Sequence, residues 1–277
     1  TTEFVKAAAD TKLPLAGGTL TGDLNVPSVT ASGIVSDSGG NVRAGRKNLI
    51  INGRLGSDTM VNQRGFTSGT LADDAYGFDR WMSKSGASSI TLNASNITLT
   101  SGKLVQIIEN PFISGESVTV SASVSSGTLT GRLGTTDAFQ TLPFTTTASS
   151  GDIRLELVGN GSVFTNVQLE LGSVATDFEH RSYGEELALC QRYFHKNGPF
   201  TDSLGYGYLP AYTDTYRHIN YLWPVTMRAT PSMSVTWNAG SNWTARWGSV
   251  NGANMYVNIG DNTTSVHLTS VTADAEL

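Results

Sequence analysis

The chain has 277 residues, 15% of them charged, and its 18 lysines and arginines against 23 aspartates and glutamates give a formal net charge of −5. A mildly acidic chain without a basic cluster is a poor candidate for binding nucleic acid, so we expect no nucleic-acid partner. No apolar run is long enough to cross a membrane, and we expect no membrane insertion. Thirty glycines, with many serines and threonines, favour an all-β fold rich in turns.

Residues 1–45 form the first predicted segment. Residues 1–12 are predicted to form a helix, which is too short to be stable alone in water. In residues 13–45 apolar residues occur singly or in pairs between Gly, Ser and Thr, so this stretch cannot enclose a core within one chain. Three chains wound together could enclose one as a thin β-shaft. A flexible linker is the alternative, because a Gly/Ser-rich composition also predicts flexibility.

Residues 46–182 are predicted to form a β-sandwich of jelly-roll type, and the region has the usual length of a single domain. Alternating or strongly apolar runs are separated by turn residues, as expected for short strands. Trp81 is predicted to be a core residue, because Trp is large and usually well buried. The predicted strands cover residues 48–52, 89–99, 103–108, 117–123, 128–133, 153–158 and 163–171.

A linking helix is predicted over residues 183–196. Ser182 and Glu185 have the S-x-x-E spacing of a capping box, and apolar residues then recur at helical spacing. The pair His195-Lys196 is placed in the last turn, where positive charge is favourable, and a Gly-Pro pair ends the helix. Cys190 is the one cysteine, and on the apolar face of this helix it is predicted to be a small buried hydrophobe rather than a nucleophile.

Residues 197–277 are predicted to form a second, smaller all-β domain. This region contains four of the five tryptophans and many of the tyrosines, with glycines between the apolar runs. The predicted strands cover residues 216–223, 232–237, 243–247, 254–259 and 265–271.

Three motifs in this sequence resemble those of bacteriophage tail fibres. VQLELGSVATDFEHRSYGEELALCQRYFHK is similar to the segment that ends a β-sandwich in many tail fibres, where the pattern reads V-x-L-E-x-G-x-x-A-T-x-F-E-x-R-x-x-x-E-E-L-x-x-C-Q-R-Y. LPLAGGTLTGDL resembles a repeat of trimeric fibre shafts, and KNLIINGR…DRW is a further match. Together the motifs span roughly residues 13 to 196.

The resemblance implies a homotrimeric virion protein, made in the host cytoplasm, that forms the distal part of a tail fibre. Such a protein adheres to a bacterial surface polysaccharide or lipopolysaccharide. The sandwich is similar to carbohydrate-binding jelly rolls, in which N-G-N-F-D-x-W-Q-R-G is common. This chain reads N-G-R-L-G at residues 52–56 and N-Q-R-G at residues 62–65, so one aromatic residue of that pattern is missing. No cofactor or metal is expected, because the histidines and the cysteine lack the spacing of metal ligands.

The distal region is predicted to carry the receptor site. Its dense aromatic rings suit the apolar faces of sugars, and its polar side chains suit their hydroxyl groups. A fibre is attached by its N-terminal end, so the distal region would meet the host first. The candidate ligand-binding residues are Trp243, as the first choice, with Asn242, Arg246, Tyr208, Tyr212 and His218.

Two other functions stay open at this point. Asp202 and Asp214 could form a carboxylate pair that cleaves a surface polysaccharide, but sequence spacing does not establish the separation that such a pair needs. We therefore expect that the protein is not an enzyme. The second alternative is a structural tip that stabilises the trimer and binds no ligand.

Overall fold

A computed structural model describes residues 48–198, 216–237, 243–258 and 268–276, together with one short hairpin. In this hairpin β1 (Ser36–Asp37) pairs antiparallel with β2 (Gly40–Asn41). The predicted helix and the rest of the predicted shaft lie outside the described residues.

Two six-stranded antiparallel sheets form a β-sandwich, which confirms the all-β prediction. Their strands alternate between residues that face the core and residues that face outward. Sheet I contains, in spatial order, β12 (Phe144–Thr147), β9 (Ser117–Ser126), β14 (Ser162–Leu171), β7 (Ile97–Ser101), β6 (Ser88–Leu92) and β3 (Gly69–Leu71). Sheet II contains β11 (Gln140–Thr141), β10 (Leu129–Leu133), β13 (Ile153–Gly159), β8 (Lys103–Ile108), β5 (Trp81–Ser83) and β4 (Tyr76–Phe78).

One continuous apolar core lies between sheets I and II. Trp81 is fully buried in it, as predicted, and its indole Nε1 donates to the carbonyl oxygen of Asn52 at 2.9 Å. Phe78 from sheet II and Phe164 from sheet I are fully buried as well. Burying one such side chain contributes about 1.5–3 kcal/mol, so this core supplies most of the stabilisation of the sandwich.

Two strand predictions in this region are wrong. The run predicted over 89–99 is a hairpin of β6 and β7, because Asn93 and Asn96 close a turn in its middle. The run predicted over 48–52 lies beside β14 but is not a strand. The side-chain oxygen of Asn48 accepts the N–H group of Ile50 at 3.0 Å, and Asn52 has a positive φ of 59°, so the backbone is not extended.

The linking helix α1 (Tyr183–Gln191) is shorter than predicted. Its cap is confirmed, because the Ser182 hydroxyl accepts the N–H group of Glu185 at 3.3 Å. Cys190 is fully buried, as predicted, and this burial raises the pKa of its thiol well above the usual value. The placement of His195 and Lys196 in the last turn is wrong, because both lie in a strand that pairs with residues far along the chain.

Two three-stranded antiparallel sheets follow the helix. Each of the five strands predicted in this region corresponds to an observed strand, with bounds shifted by up to three residues at either end. Sheet III contains, in spatial order, β15 (Phe194–Asn197), β20 (Leu268–Asp274) and β17 (Ser232–Trp237), and sheet IV contains β16 (Tyr216–Leu222), β19 (Gly252–Asn258) and β18 (Trp243–Ser249). Their shared apolar cluster includes Met255, Val271 and Ala273, all fully buried.

Residues 274–276 join sheet III to the sandwich. Arg64 forms an ion pair with Asp274 at 3.0 Å, and the buried Arg80 pairs with Glu276. The N–H group of Ala275 donates to the carbonyl oxygen of Tyr193 at 2.7 Å. The sandwich and sheet III are therefore in direct contact through charged and backbone groups.

Candidate functional site

Three of the six residues predicted to bind a ligand, Tyr208, Tyr212 and Asn242, lie outside the described residues. The same holds for Asp202 and Asp214, the carboxylate pair of the enzymatic alternative. Their roles stay predictions.

The other three predicted residues lie on strands of sheet IV, whose backbone is described. Trp243 begins β18, and His218 lies on β16, with β19 between these strands. Arg246 lies at a β-bulge, because the register of β18 shifts between Ala245 and Trp247. Bulges often occur beside functional sites, since they change the direction of the strand locally.

Two distal aromatic residues are core rather than receptor site. Tyr221 and Trp223 are each only 6% exposed, and their ring centroids lie 5.3 Å apart. The Tyr221 hydroxyl lies 3.0 Å from Nε2 of the buried His195, and the Trp223 indole donates to the carbonyl oxygen of Ser249 at 2.9 Å. Burial lowers the pKa of His195, which favours a neutral imidazole in this cluster.

Residues of two of the three motifs, KNLIINGR…DRW and the long motif, meet in a buried hydrogen-bond network around Asn52. The Asn52 amide donates to the carbonyl oxygens of Val61 and Asp79 at 2.8 and 2.9 Å. The N–H group of Asn52 donates to the Glu186 carboxylate at 2.6 Å, and its carbonyl accepts the Trp81 indole. The motifs NLIING, DRW and EELALCQRY thus hold one another in place, which is a structural role.

Arg181 extends this network to the start of the sandwich. Its guanidinium donates to the carbonyl oxygens of Asn48 and Ile50, the latter at 2.9 Å, and lies 3.2 Å from the Glu186 carboxylate. The Glu179 carboxylate accepts the N–H group of Asn48 at 2.9 Å and lies 3.4 Å from Arg181. The long motif therefore fixes residues 48–52 against β14.

Residues 173–179 cover the part of the outer face of sheet I that holds Gln168 and Glu170. Gln168 and Glu170 point away from the core on β14 and are 0% and 3% exposed. The N–H and hydroxyl groups of Thr176 donate to the Glu170 carboxylate at 2.9 and 2.5 Å, and the Gln168 amide donates to it at 2.9 Å. The N–H group of Glu179 donates to the Gln168 side-chain oxygen. The chain itself thus supplies the hydrogen bonds of these buried polar groups.

Part of the outer face of sheet II carries charged residues instead. Residues directly opposite one another on neighbouring strands lie on the same face of a sheet. The strand register places five such residues in one row across five strands of sheet II. In order across the sheet, this row is Tyr76, Met82, Val105, Glu156 and Arg132. We call the part of this surface formed by Lys103, Arg132, Phe139, Arg154 and Glu156 the charged face.

Three cations of the charged face surround one buried carboxylate. Glu156 is 1% exposed, and its Oε2 accepts Nε and Nη2 of Arg132 at 3.0 and 2.9 Å. Lys103 Nζ lies 3.5 Å from the same oxygen. Arg154 Nη2 lies 2.5 Å from Oε1 and forms an ion pair with it, but the two groups are not oriented for a hydrogen bond. Three cations around one carboxylate leave a local formal charge of +2.

Phe139 lies at the edge of this cluster and is 37% exposed. The Arg132 guanidinium lies 4.5 Å from the ring centroid and Lys103 Nζ lies 5.7 Å from it, which are cation–π distances. Arg132 Nη1 also donates to the carbonyl oxygen of Asp137 at 3.1 Å, which holds the loop before β11 against the sheet. An exposed aromatic ring is thus fixed beside cationic donors.

The sequence predictions missed the charged face. In LTGRL, IRLEL and KLVQII the charged residues occupy positions that alternate with apolar ones, a signal that places them on the outward side of three strands. The alternation does not tell which strands are neighbours. In the fold β13 lies between β10 and β8, so residues separated by up to 53 positions meet at Glu156.

A concave surface of about 350 Å³ lies on sheet I where β14 is irregular. Asn166 has a positive φ of 54° there, and the register shifts between Thr165 and Gln168. The lining is mostly neutral and polar, with Asn96, Ser123, Thr165 and Asn166, and with Arg54 and His180 as further lining residues. This cleft offers hydrogen-bonding groups, but neither Phe, Tyr nor Trp lines it.

Within the described ranges, no three His, Cys, Asp or Glu side chains are grouped closely enough to hold a metal ion. In the same ranges, no helix has the length and apolar character needed to cross a membrane.

Comparison of the sequence with protein-family models and with curated proteins found no match in either case. The resemblance to tail fibres therefore rests on the three motifs.

Proposed function

We propose that this protein is the distal part of a trimeric bacteriophage tail fibre that adheres to a bacterial surface glycan without cleaving it. The three motifs support the fibre assignment, and the β-sandwich is compatible with the carbohydrate-binding jelly rolls that the resemblance implies. The three chains of the fibre would present each weak site three times, and multivalency would raise the overall strength of attachment.

The observation that carries the glycan-binding part of the proposal is the exposed ring of Phe139 beside the cations of the charged face. A flat ring can stack on the apolar face of a sugar, and neighbouring charged donors can bond its oxygens. The Arg132 guanidinium, 4.5 Å from the ring centroid, is close enough to contact the same monosaccharide. Trp243 and its predicted neighbours form the second proposed site, in the distal region.

The test is a screen of the whole chain against glycans from bacterial cell envelopes, with three aromatic variants. Phe139→Ala should lose most binding and lower the melting temperature by only a few degrees, because the ring lies at the surface and its cation–π contacts contribute about 0.5–1 kcal/mol. Phe112→Ala is the matched control, since Phe112 is 90% exposed on the loop between β8 and β9, and its binding should not change. Trp243→Ala tests the distal site.

The outcomes separate the alternatives. Loss of binding in Trp243→Ala alone would move the site to the distal region. Absence of binding to every glycan by the unchanged protein would contradict the proposal and favour the structural tip. Release of oligosaccharides during the screen would favour the enzymatic alternative.

A further inference from the structure

We infer that the glycan bound by the charged face is anionic and carries a carboxylate or phosphate group. This inference deepens the proposed function and rests on it. It is carried by charge and geometry at Glu156 and its three cations.

The charge of this cluster is not balanced within the described part of the chain. Glu156 is the one carboxylate there that lies within ion-pair distance of Lys103, Arg132 or Arg154. One negative charge cannot neutralise three positive ones. The excess is positive although the chain as a whole has a net charge of −5, so the charged face is opposite in sign to the net charge of the chain.

Other paired cations of the sandwich are balanced. Arg64 and Arg80 share the two carboxylates of Asp274 and Glu276, and Arg181 lies between Glu179 and Glu186. The remaining pairs are Lys84 with Asp74 and Arg192 with Glu109. Each of these groups has at least one carboxylate for each cation, so the excess on the charged face is a local property rather than a general feature of the fold.

The cations retain donors that a ligand can use. The side chains of Lys103, Arg132 and Arg154 are 25%, 15% and 21% exposed, so solvent reaches them. Arginine presents its N–H groups as a planar fork that matches carboxylate and phosphate oxygens, which makes it well suited to anionic groups.

Phe139 and the cations would recognise different parts of one ligand. The ring offers an apolar surface for the sugar ring, while Lys103 and Arg132, 5.7 and 4.5 Å from the ring centroid, are placed for an acidic substituent. A neutral sugar would use only the first contact and would leave the excess positive charge unmatched. The difference between anionic and neutral forms of one glycan therefore measures what the cations contribute.

Two matched pairs of probes test this inference with the whole chain. The first is polygalacturonate and its methyl ester, which differ in the carboxylate charge, and the second is lipopolysaccharide before and after enzymatic dephosphorylation. In at least one pair the anionic form should bind about tenfold more tightly than its matched form, the factor given by one charged hydrogen bond. Preference in the first pair indicates a carboxylate ligand and preference in the second a phosphate ligand.

Three variants assign the preference to the charged face. Arg154→Gln should reduce binding of the preferred anionic probe about tenfold and leave its matched form unaffected. Lys84→Gln is the matched control, because it removes one cation that already pairs with Asp74. It should change neither the affinity for the anionic probe nor the affinity for its matched form. Arg154→Lys keeps the charge but not the planar fork, so its affinity for the anionic probe should lie between those of the parent and Arg154→Gln, and it separates the contribution of charge from that of hydrogen-bond geometry. Raising the salt concentration should weaken only the anionic interaction, by screening.

Equal affinity within both pairs would overturn the inference, as would anionic binding that Arg154→Gln leaves unchanged. The cell-envelope screen can also find a glycan whose binding depends on Phe139 but not on the charge of the glycan. In that case the inference fails and the proposed function stands. If that screen finds no glycan at all, both fail.

Discussion

The two outer faces of the sandwich stabilise a buried carboxylate with different groups. Each buries a carboxylate on an outward position, Glu170 on sheet I at 3% exposure and Glu156 on sheet II at 1%. Around Glu170 the chain provides neutral donors from Thr176 and Gln168. Around Glu156 it provides three cations instead.

This difference separates a structural surface from a binding surface. Burying a carboxylate is costly unless it is hydrogen-bonded or paired, and both faces meet that requirement. On sheet I residues 173–179 cover the part of the face around Glu170, so this carboxylate is closed to partners. On sheet II the pairing exceeds what the carboxylate needs, and the excess charge lies on an exposed surface beside Phe139. Substitutions on the two faces should therefore affect different properties.

The largest expected effect is on sheet I. Glu170→Ala leaves the N–H and hydroxyl groups of Thr176 and the amide of Gln168 without their acceptor, and should lower the free energy of unfolding by about 4 kcal/mol. Thr176→Val removes only the 2.5 Å hydroxyl bond and should cost about 1 kcal/mol. Urea unfolding measures both. Glycan binding per folded molecule should stay constant, and its loss would show that sheet I belongs to a site.

Asp79 is a third buried carboxylate, and its pH dependence tests the central network. Burial raises its pKa to about 6, although hydrogen bonds from the Gln63 N–H group and side-chain amide, at 2.6 and 2.7 Å, oppose this shift. A pKa raised above the unfolded value of 3.8 means that protonation favours the folded state. The associated stability is present below pH 4 and is lost as the pH rises through 6.

The expected change is about 3 kcal/mol across this window, from about 1.4 kcal/mol for each pKa unit. Denaturant unfolding of the parent and of Asp79→Asn, which cannot titrate, should give a difference that shrinks by this amount between pH 4 and pH 7. A difference that does not vary with pH would mean that Asp79 has an ordinary pKa.

On sheet II, Glu156→Gln should have a smaller effect on stability and an additional effect on binding. Its cations keep contact with water, so the loss in unfolding free energy should be about 2 kcal/mol, less than for Glu170→Ala. The same change raises the local formal charge from +2 to +3 and should strengthen binding of an anionic glycan. Calorimetry of the folded variant measures this affinity. Weaker binding would contradict the role assigned to the cations.

The smallest effect is expected at the helix cap. Ser182→Ala removes the 3.3 Å bond to the N–H group of Glu185, and since this bond is long and exposed the cost should be about 0.5 kcal/mol. Thermal unfolding measures it, and glycan binding should not change. A cost above about 2 kcal/mol would indicate that Ser182 has a further structural role.

Local patterns in the sequence predicted much of this fold. Alternation predicted the longer strands, such as β9 and β14, but not short ones such as β4 and β5. The S-x-x-E spacing predicted the cap at Ser182, and side-chain size and polarity predicted that Trp81 and Cys190 are buried. These features depend on residues close together in sequence, so their physical causes are visible in the sequence itself.

The errors have causes that local patterns do not contain. Residues 48–52 are not a strand because the side chain of Asn48 binds the neighbouring backbone. Residues 194–197 form a strand because they pair with β20, more than 70 positions away. The charged face depends on the order of β10, β13 and β8 within sheet II, which alternation along each strand cannot supply.

Hydrogen–deuterium exchange with and without a bound glycan tests most directly whether the charged face is the binding site. Protection should appear in residues 103–108, 129–141 and 153–159, which carry Phe139 and the cations. Residues 167–179, which include the covered part of sheet I around Glu170, should not change. Protection confined to the strands of sheet IV, or to the cleft beside β14, would contradict this account and place recognition elsewhere on the molecule.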